Sequence, residues 1–289
     1  MITAIVVSYE TRSYLERCLG SLESLAEEGH EIVVVDNASS DGSAELAREG
    51  FPFCRVMALD RNIGFGAANN LAAREASGDC LLLLNPDAWL EEGCVKALAA
   101  VLQSSPRLGM VAPTLRYPNG DRQFSWNPTR GVVGESVQRF RNRFEKRAWA
   151  HRPCARLLCA LGDPGWLSAS CALVRRQAWD AVGGFDEDFF LYFEDVDLGA
   201  RLAAAGWDIA ETRTATAFHE KGTTQSDKLR YRESQFLHYA KHRPRWENRF
   251  LVRKQRRKFS REIDPEYRRQ LLEIVDRAAE RMAQDRYSA

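Results

Sequence analysis

The sequence predicts an α/β fold in which a mostly parallel central sheet has helices on both faces. Short apolar runs rich in β-branched residues alternate with helical patterns through about the first hundred residues. Strand and helix in alternation imply right-handed crossovers, which give a parallel sheet between two layers of helices. A second observation, the charged helical pattern from about residue 229 onward, predicts a helical and basic C-terminal extension.

The N-terminal elements follow one another in order. Apolar runs predict strands at 3–9, 31–37, 54–60 and along the leucines at 81–84. The segments between them predict helices within 15–25, at 43–49 and at about 66–76, the last ended by Gly78. Beyond the leucines, residues 116–162 are interrupted by prolines, glycines and arginines, which predicts a variable excursion with some helix around 133–149.

Regular elements return after the excursion. A strand is predicted at 165–176, a helix to residue 182, a helix at about 194–205 and a last strand at 208–219. We therefore divide the chain into a domain at 1–224 and a helical extension at 225–289. The domain has an N-terminal half at 1–115, the excursion at 116–162 and a second half at 163–224.

Composition limits the class of protein. A chain of 289 residues with 45% hydrophobic content can bury a core of ordinary size. Its net charge of +1 gives no overall attraction to nucleic acid, so we expect no nucleic-acid partner. Seven cysteines without a CxxC pair predict reduced, buried thiols instead of a zinc site or a disulfide framework. Neither a signal peptide nor an apolar window of about eighteen residues is recognisable, which predicts a cytoplasmic protein.

Asp36 ends the second predicted strand in the stretch VVVDNASSDGS. Open α/β sheets bind ligands at this edge, where a carboxylate can accept a hydrogen bond from a base imide or a ribose hydroxyl. The alternative is that Asp36 and the polar residues after it only form the turn and the cap of the next helix.

The stretch RNIGFGAANN places glycines between a strand and a helix. This context is typical of a dinucleotide site and is the support for an NAD(P)-dependent oxidoreductase, but Asn69 stands where the third glycine would be. Small residues here also let a phosphate or sugar approach backbone N–H groups. A third interpretation is helix–sheet packing alone.

The stretch LLLLNPDA offers a carboxylate at the sheet edge. Pro86 cannot donate to the strand ladder, so it ends the strand and leaves Asp87 at the C-terminal edge. There Asp87 can bind a hard cation whose other ligands are phosphates and water, or it can simply belong to a turn. His219 ends the last predicted strand, where a single histidine is either a structural residue or a ligand.

The stretch GGFDEDFFLYFEDVDLGARL concentrates acids among aromatic residues. Its acids are Asp186, Glu187, Asp188, Glu194, Asp195 and Asp197. Carboxylates packed against apolar groups and against each other are the setting in which one pKa rises toward the range of a general base. The alternative is that they complement the dipole at the start of a helix, which explains some of the six.

Together and in this order, VVSYE and the four stretches above, followed by FHEKGTT, resemble the family 2 inverting glycosyltransferases with the GT-A fold, particularly their rhamnosyltransferase-like branch. The match covers about residues 1–224. The resemblance implies a GT-A type, Rossmann-like sheet in which 1–115 bind the nucleotide and 163–224 carry acceptor and catalytic groups. It implies transfer of a sugar, with inversion, from a nucleoside-diphosphate sugar to an acceptor hydroxyl.

The resemblance implies a role for each matched residue. The residues that bind the nucleotide and the donor would be Ser8, Tyr9, Asp36, Asn62, Gly64 and Asn85. Tyr9 would stack on the base, and Asp36 would bind the imide of the base. Asp87 and His219 would hold a divalent cation, Mg²⁺ or Mn²⁺, that bridges the diphosphate. Asp195 would be the general base, supported by Glu194 and Asp197. Asn85 stands where many relatives have the first aspartate of a DxD motif, which removes one metal contact.

The resemblance also implies partners. The donor would be dTDP-rhamnose before a UDP- or GDP-sugar, and the acceptor a saccharide or lipid-linked saccharide in cell-surface polysaccharide or glycolipid synthesis. The basic run at 253–258 suits anionic headgroups at the inner face of a membrane, and a solvated helix face or a homo-oligomer contact explains it equally. A non-catalytic nucleotide-sugar-binding protein stays open as an alternative beside the oxidoreductase.

Overall fold

The structure is a computed structural model that describes residues 1–127, 165–220 and 225–284 of the chain. Most of the predicted excursion, including the helix expected around 133–149, lies outside these residues. The described part is α/β, as predicted, with an eight-stranded sheet at its centre.

Four parallel strands form the N-terminal half of the sheet. They are β1 (Ile2–Ser8), β2 (Glu31–Asp36), β3 (Cys54–Ala58) and β4 (Cys80–Leu84), in the spatial order β3-β2-β1-β4. The helices between them are α1 (Arg12–Gly20), α2 (Glu23–Glu27), α3 (Ser43–Gly50) and α4 (Phe65–Glu75). The four predicted strands and their parallel pairing are confirmed.

The other half of the sheet is mixed. After β4 come β5 (Ala88–Leu90), α5 (Cys94–Gln103) and β6 (Leu108–Arg116); a separate two-stranded sheet joins β7 (Trp126–Asn127) to β8 (Trp166–Leu167). Strands β9 (Cys171–Arg175) and β10 (Asp208–His219) complete the order β4-β9-β6-β10-β5. Strand β9 is antiparallel to β4 and β6, and β5 to β10, whereas β6 and β10 are parallel.

The single strand predicted at 165–176 is wrong in one respect, because it is two strands in two different sheets. The polar residues between β8 and β9 bond locally: the hydroxyls of Ser168 and Ser170 share a hydrogen bond of 2.9 Å, and Ser168 N donates to Ser125 O at 2.6 Å. These bonds replace the strand ladder.

The remaining helices agree with the sequence pattern. They are α6 (Arg176–Val182), α7 (Glu194–Ala204), α8 (Gln225–His242), α9 (Arg245–Phe259) and α10 (Pro265–Gln284). Helices α8 to α10 pack around a core of their own, which includes Phe236, Tyr239, Leu251, Phe259 and Val275. This bundle is the predicted helical extension. Within the described residues, no helix is long and apolar enough to cross a membrane.

Burial on both faces explains the four consecutive leucines of β4. Leu82 and Leu84 face one apolar cluster, while Leu81 and Leu83 face the other, and each is at most 1% exposed. Successive strand side chains point to opposite faces, so a strand covered on both sides has no polar positions. The first polar side chains after β4 therefore stand at the C-terminal edge of the sheet.

The described cysteines are free thiols. Cys18, Cys94 and Cys171 are buried, and Cys54 and Cys80 are half-buried. Burial raises the pKa of the Cys54 thiol to about 12, which keeps it protonated and unreactive at neutral pH.

Candidate functional site

The C-terminal ends of β1 and β2 lie side by side at one edge of the sheet. Ser8 and Asp36 are register partners, and Asn37 N donates to Ser8 O at 2.8 Å. The Ser8 hydroxyl is buried and shares a hydrogen bond of 2.8 Å with the Thr11 hydroxyl. Tyr9 is half exposed, so its ring is accessible to a planar ligand.

The two carboxylate oxygens of Asp36, at the end of β2, differ in their contacts. Its Oδ2 accepts a hydrogen bond of 3.0 Å from Ser39 N, which is the turn interaction. Its Oδ1 is buried and has no hydrogen-bond partner within the described residues. A buried acceptor without a donor costs free energy, which a ligand N–H or O–H would recover.

The glycine stretch is held by amide side chains. Asn62 Oδ1 accepts from Gly64 N at 2.9 Å, while Asn37 Oδ1 accepts from Ile63 N at 2.9 Å. Gly64 has a φ of +90°, and a Cβ there would lie 2.7 Å from Phe190 O. At Gly64 the close neighbour is thus the Phe190 backbone, and Phe65 N also donates to Phe190 O at 2.9 Å. These contacts attach the acidic segment, residues 185–197, to the edge of the sheet.

Asp87 and His219 are brought together although 132 positions separate them. The pairing of β10 with β5 sets His219 opposite Ala88, and His219 Nε2 lies 3.3 Å from Asp87 Oδ1. His219 Nδ1 faces Gln123 Oε1 at 3.1 Å, and Gln123 Nε2 donates to the His219 carbonyl. The acceptor Oε1 favours a proton on Nδ1, which would leave the lone pair of Nε2 for a cation held between His219 and Asp87.

This donor set fits a divalent cation. A carboxylate oxygen and an imidazole nitrogen with an oriented ring are common ligands of Mn²⁺, and Mg²⁺ takes the carboxylate. Among residues 1–127, 165–220 and 225–284, no group of three or more His, Cys, Asp or Glu side chains is placed to hold a metal. Phosphate oxygens and water are the further ligands that such an ion commonly takes.

Asn85 is anchored to Ser170, the residue before β9. Its backbone N donates to Ser170 O at 2.9 Å, and its Nδ2 donates to the Ser170 hydroxyl at 3.4 Å. Its Oδ1 is buried without a hydrogen-bond partner in the described part of the chain. Asn85 therefore has one acceptor available to a ligand and an amide fixed by its neighbour.

Helix α7 begins on strained backbone. Tyr192 and Phe193 have φ values of 68° and 69°, in the left-handed region that residues other than glycine seldom adopt. Glu194 and Asp195 follow in the first turn of the helix. Asp195 is half-buried, and its Oδ1 accepts a hydrogen bond of 2.8 Å from Val196 N.

Glu194 is a buried carboxyl group, 6% exposed, whose Oε2 has no hydrogen-bond partner in the described residues. Burial, followed by the negative charges of Asp195 and Asp197, raises the pKa of Glu194 well above its ordinary value. Of the acids in the segment, Glu194 thus has the environment that the sequence pattern predicts for one of them.

Glu194→Gln is expected to stabilise the fold at neutral pH. Because the pKa of Glu194 is raised in the folded state, Glu194 does not lower the free energy of unfolding below its unfolded pKa of about 4.3. Above that pH, it lowers the free energy of unfolding by an amount that grows as the pH rises. The amide resembles the protonated form, so the variant should melt about 2 °C or more above the parent near pH 8 and at the same temperature near pH 4. Thermal melts check this, and equal melting near pH 8 would contradict it.

Asp197 is engaged within the protein. It is 1% exposed; Arg201 Nε donates to its Oδ2 at 2.7 Å, and His242 Nε2 lies 2.6 Å from its Oδ1. Burial by itself raises the pKa of Asp197, but the hydrogen bonds from His242 and Arg201 outweigh burial and lower it. Arg201 also donates to the carbonyls of Val182 and Gly184, each at 2.7 Å. Asp197 therefore fixes α7 against its neighbours.

Helix α8 holds the rest of the acidic segment. Lys241 Nζ contacts Asp186 Oδ2 at 2.5 Å and Asp188 Oδ2 at 2.6 Å, and the Ser234 hydroxyl donates to Leu191 O at 2.7 Å. Glu187 accepts from Asn70 Nδ2 at 3.0 Å. Contacts with other elements therefore hold Asp186, Glu187, Asp188 and Asp197 in place. The functional interpretation is applied to Glu194 and Asp195 because they begin α7.

Several residues of the site have no signal in the sequence. Asn37, Gln123, Ser170 and His242 orient predicted residues, but each stands in a turn, a strand end or a basic run without a motif of its own. Asn37 follows Asp36 directly, so its place at the strand end was the one available clue.

Comparisons with known proteins agree with this geometry. Residues 3–161 match the family model for Glycosyl transferase family 2. An N-acetylglucosaminyl-diphospho-decaprenol L-rhamnosyltransferase of Mycobacterium tuberculosis is 32% identical over 238 residues, which are 76% of this chain and 76% of that protein. The O-antigen biosynthesis protein RfbC of Myxococcus xanthus is 30% identical over 83% of this chain, but over only 19% of its own length.

Solved structures show the same fold. Staphylococcus aureus TarS in complex with UDP-GlcNAc superposes with a TM-score of 0.61 at 17% identity, over 94% of this chain and 79% of that one. The mannosyltransferase PcManGT of Pyrobaculum calidifontis, in complex with GDP-Man and Mn²⁺, superposes with a TM-score of 0.58 at 18% identity, over 98% and 75%. The GT-A type fold predicted from the motifs is thereby confirmed.

Proposed function

We propose that this chain, which belongs to glycosyl transferase family 2, transfers rhamnose with inversion from dTDP-rhamnose to a hydroxyl of a lipid-linked saccharide. It is a glycosyltransferase that uses a nucleotide-activated sugar, and the oxidoreductase and non-catalytic alternatives are not favoured. The rhamnosyl group and the lipid-linked acceptor follow the activity that the mycobacterial relative's name states, and the dTDP carrier follows the resemblance of the motifs. The observation that carries the proposal is the meeting of Asp87 and His219 at the ligand edge of the sheet.

Residues at the ends of β1 and β2 bind the nucleotide. The free Oδ1 of Asp36 accepts the imide N–H of the base, and the exposed ring of Tyr9 stacks on its face. Asn62 and Gly64 shape the loop beside this pocket, and Asn85 Oδ1 accepts a hydrogen bond from the donor. Asp36 Oδ1 and Asn85 Oδ1 are buried acceptors without a donor in the described residues, and the Tyr9 ring is an accessible surface.

Binding of the diphosphate falls to Asp87 and His219. When bound there, Mg²⁺ or Mn²⁺ would supply positive charge to the leaving nucleoside diphosphate. Asp87 provides a carboxylate oxygen, and His219 provides Nε2 in an orientation that Gln123 fixes. With two protein ligands in the described residues, we expect metal and donor to bind together.

Proton removal falls to Asp195. Its carboxylate takes the proton of the acceptor hydroxyl as the oxygen attacks the anomeric carbon, on the face opposite to the diphosphate, which inverts the configuration. The raised pKa of Glu194 favours its protonated form, which places less negative charge beside Asp195. Asp197 supports the base by fixing α7 through Arg201 and His242.

A lipid-linked acceptor would place the protein at the surface of a membrane. In α9, Arg253, Arg256 and Arg257 are exposed, and Arg256 is paired with Asp276 at 2.5 Å. We propose that this basic face lies against anionic headgroups at the cytoplasmic side, where each cation contributes about 1 kcal/mol of attraction. A contact between two copies of the chain would use the same exposed face.

A donor panel tests the proposal. Binding of dTDP-rhamnose, dTDP-glucose, UDP-GlcNAc and GDP-mannose would be measured by calorimetry with Mn²⁺ and with EDTA. We expect dTDP-rhamnose with Mn²⁺ to bind at least about tenfold more tightly than the others, a difference of about 1.4 kcal/mol. The control dTDP-glucose separates recognition of the base from recognition of the sugar. Tighter binding of the UDP- or GDP-sugar would overturn the donor assignment, and binding of NADH alone would restore the oxidoreductase.

A further inference from the structure

A cavity lies beside the C-terminal extension, and the reaction proposed above gives it no role. It measures about 460 Å³ and lies among α8, α9 and α10, a size that suits a small ligand. Its wall is apolar and includes Phe236, Leu237, Val252, Ile274 and Ala278. Arg230, Arg277 and Arg281 also line it. Its lining is therefore amphipathic.

The charges at this cavity favour an anion. Arg230 and Arg277 share one carboxylate, that of Glu233, at 3.2 Å and 2.8 Å, and Arg281 adds a third guanidinium. The other acid that lines the cavity, Asp188, is paired with Lys241 at 2.6 Å. Positive charge is thus in excess beside an apolar wall. Guanidinium groups bind phosphate oxygens in a bidentate manner, so a phosphate on an apolar chain satisfies both parts of the lining.

The cavity is joined to the catalytic helix through the acidic segment. Phe190 lines the cavity, and the Arg230 guanidinium lies 4.7 Å from the centre of its ring. The carbonyl of the same residue accepts the hydrogen bond from Phe65 N beside the donor loop. Ser234, also in the lining, donates to Leu191 O. From Phe190 to Glu194 the chain advances only four positions.

We infer that this cavity holds the phosphate end and the first isoprenoid units of the lipid-linked acceptor. The apolar wall takes the chain, Arg277 and Arg281 take the phosphate oxygens, and the saccharide extends along the acidic segment toward Asp195. The inference rests on the proposed function in one respect, that the acceptor is lipid-linked. It assigns to the extension a substrate-binding role, separate from that of the basic face of α9.

Binding of farnesyl monophosphate, a soluble isoprenoid phosphate, tests the inference. Calorimetry in EDTA removes the cation through which a phosphate would bind at the donor site. We expect the parent to bind it, and to bind farnesol more weakly because farnesol lacks the phosphate. The double variant Arg277→Gln/Arg281→Gln should lose about tenfold or more in affinity, since it loses two charged contacts to the phosphate. The matched control Arg253→Gln/Arg257→Gln removes the same charge from α9 and should stay within about twofold.

A second variant tests the apolar part. Ala240 is exposed on α8 and lines the cavity, so Ala240→Trp should fill it and lower the affinity for farnesyl phosphate and farnesol alike, with thermal melts confirming the fold. Equal affinity in the parent and both cavity variants would overturn the inference. An equal loss in the α9 control would do so too, because it would indicate unspecific attraction.

Donor binding measured on the same proteins separates the two proposals. If dTDP-rhamnose binds with Mn²⁺ but farnesyl phosphate does not bind, the cavity inference fails alone. If farnesyl phosphate binds as expected and no nucleotide sugar binds, the donor assignment fails while the cavity site stands.

Discussion

Asp195→Asn is expected to lower kcat for sugar transfer by about 10²–10⁴-fold and to leave the Kd of the donor within about twofold. The amide has nearly the shape of the carboxylate and can keep the contact of its oxygen with Val196 N. It cannot, however, accept the proton of the acceptor hydroxyl. Steady-state kinetics on donor and acceptor, combined with calorimetry of donor binding, measures the two effects separately.

Glu187→Gln is the matched control for this variant. Glu187 belongs to the same acidic segment, but it is exposed and contacts Asn70 and Arg74. Its kcat should stay near that of the parent. Transfer by Asp195→Asn at the parent rate would show that another group is the base. A loss of donor affinity as large as the loss of kcat would make Asp195 a binding residue.

Asp87→Ala should weaken donor binding about 10–100-fold in Mn²⁺, because the cation loses one of the two protein ligands and the diphosphate loses the charge that the cation brings. In EDTA the variant and the parent should bind the donor with equal affinity. The double variant Asp87→Ala/His219→Ala should lose little more than Asp87→Ala, since both side chains serve one ion and their effects are not additive. Calorimetry of dTDP-rhamnose binding under the two conditions gives all these values.

Asp208→Ala provides the control for Asp87. Asp208 begins the strand that His219 ends, is exposed, and contacts Arg107 at 3.3 Å. Its removal deletes a carboxylate far along β10 from the site and should not change donor affinity. If Asp87→Ala weakens binding equally in Mn²⁺ and in EDTA, Asp87 contacts the donor directly and the metal assignment is wrong.

The sequence predicted best the strands that are most deeply buried. Strands β1, β2 and β4 are covered on both faces, so each reads as a nearly uninterrupted apolar run with turn residues after it, whereas the edge strand β3 is only partly buried. The second half was harder to predict: β9 runs antiparallel, and Ser168 and Ser170 divide a stretch whose apolar content favours one strand. Antiparallel insertion of a strand depends on its distant neighbours, which composition does not encode.

The sequence likewise predicted some residues of the site better than others. The placement of Asp36, Asp87 and His219 at one edge of the sheet was predictable, because Asp36 and His219 end strands and Asp87 lies in the turn after β4. The partners that orient them come from afar: Gln123 is 96 positions from His219, and Ser170 is 85 from Asn85. His242 stands near a run of cations whose sequence suggests only solvent or a membrane, although its partner is a buried aspartate.

The contact between His242 and Asp197 has a consequence for the synthesis of the protein on the ribosome. Forty-five positions separate the two residues, so a ribosome adding about 5–20 residues per second makes α7 roughly 2–9 seconds before the histidine that pairs with it. Lys241, the partner of Asp186 and Asp188, arrives in the same interval. During that time Asp186 and Asp188 lack Lys241, and Asp197 has Arg201 of its own helix but lacks His242. The contacts that hold α7 and the acidic segment against α8 are therefore complete only after α8 has been synthesised.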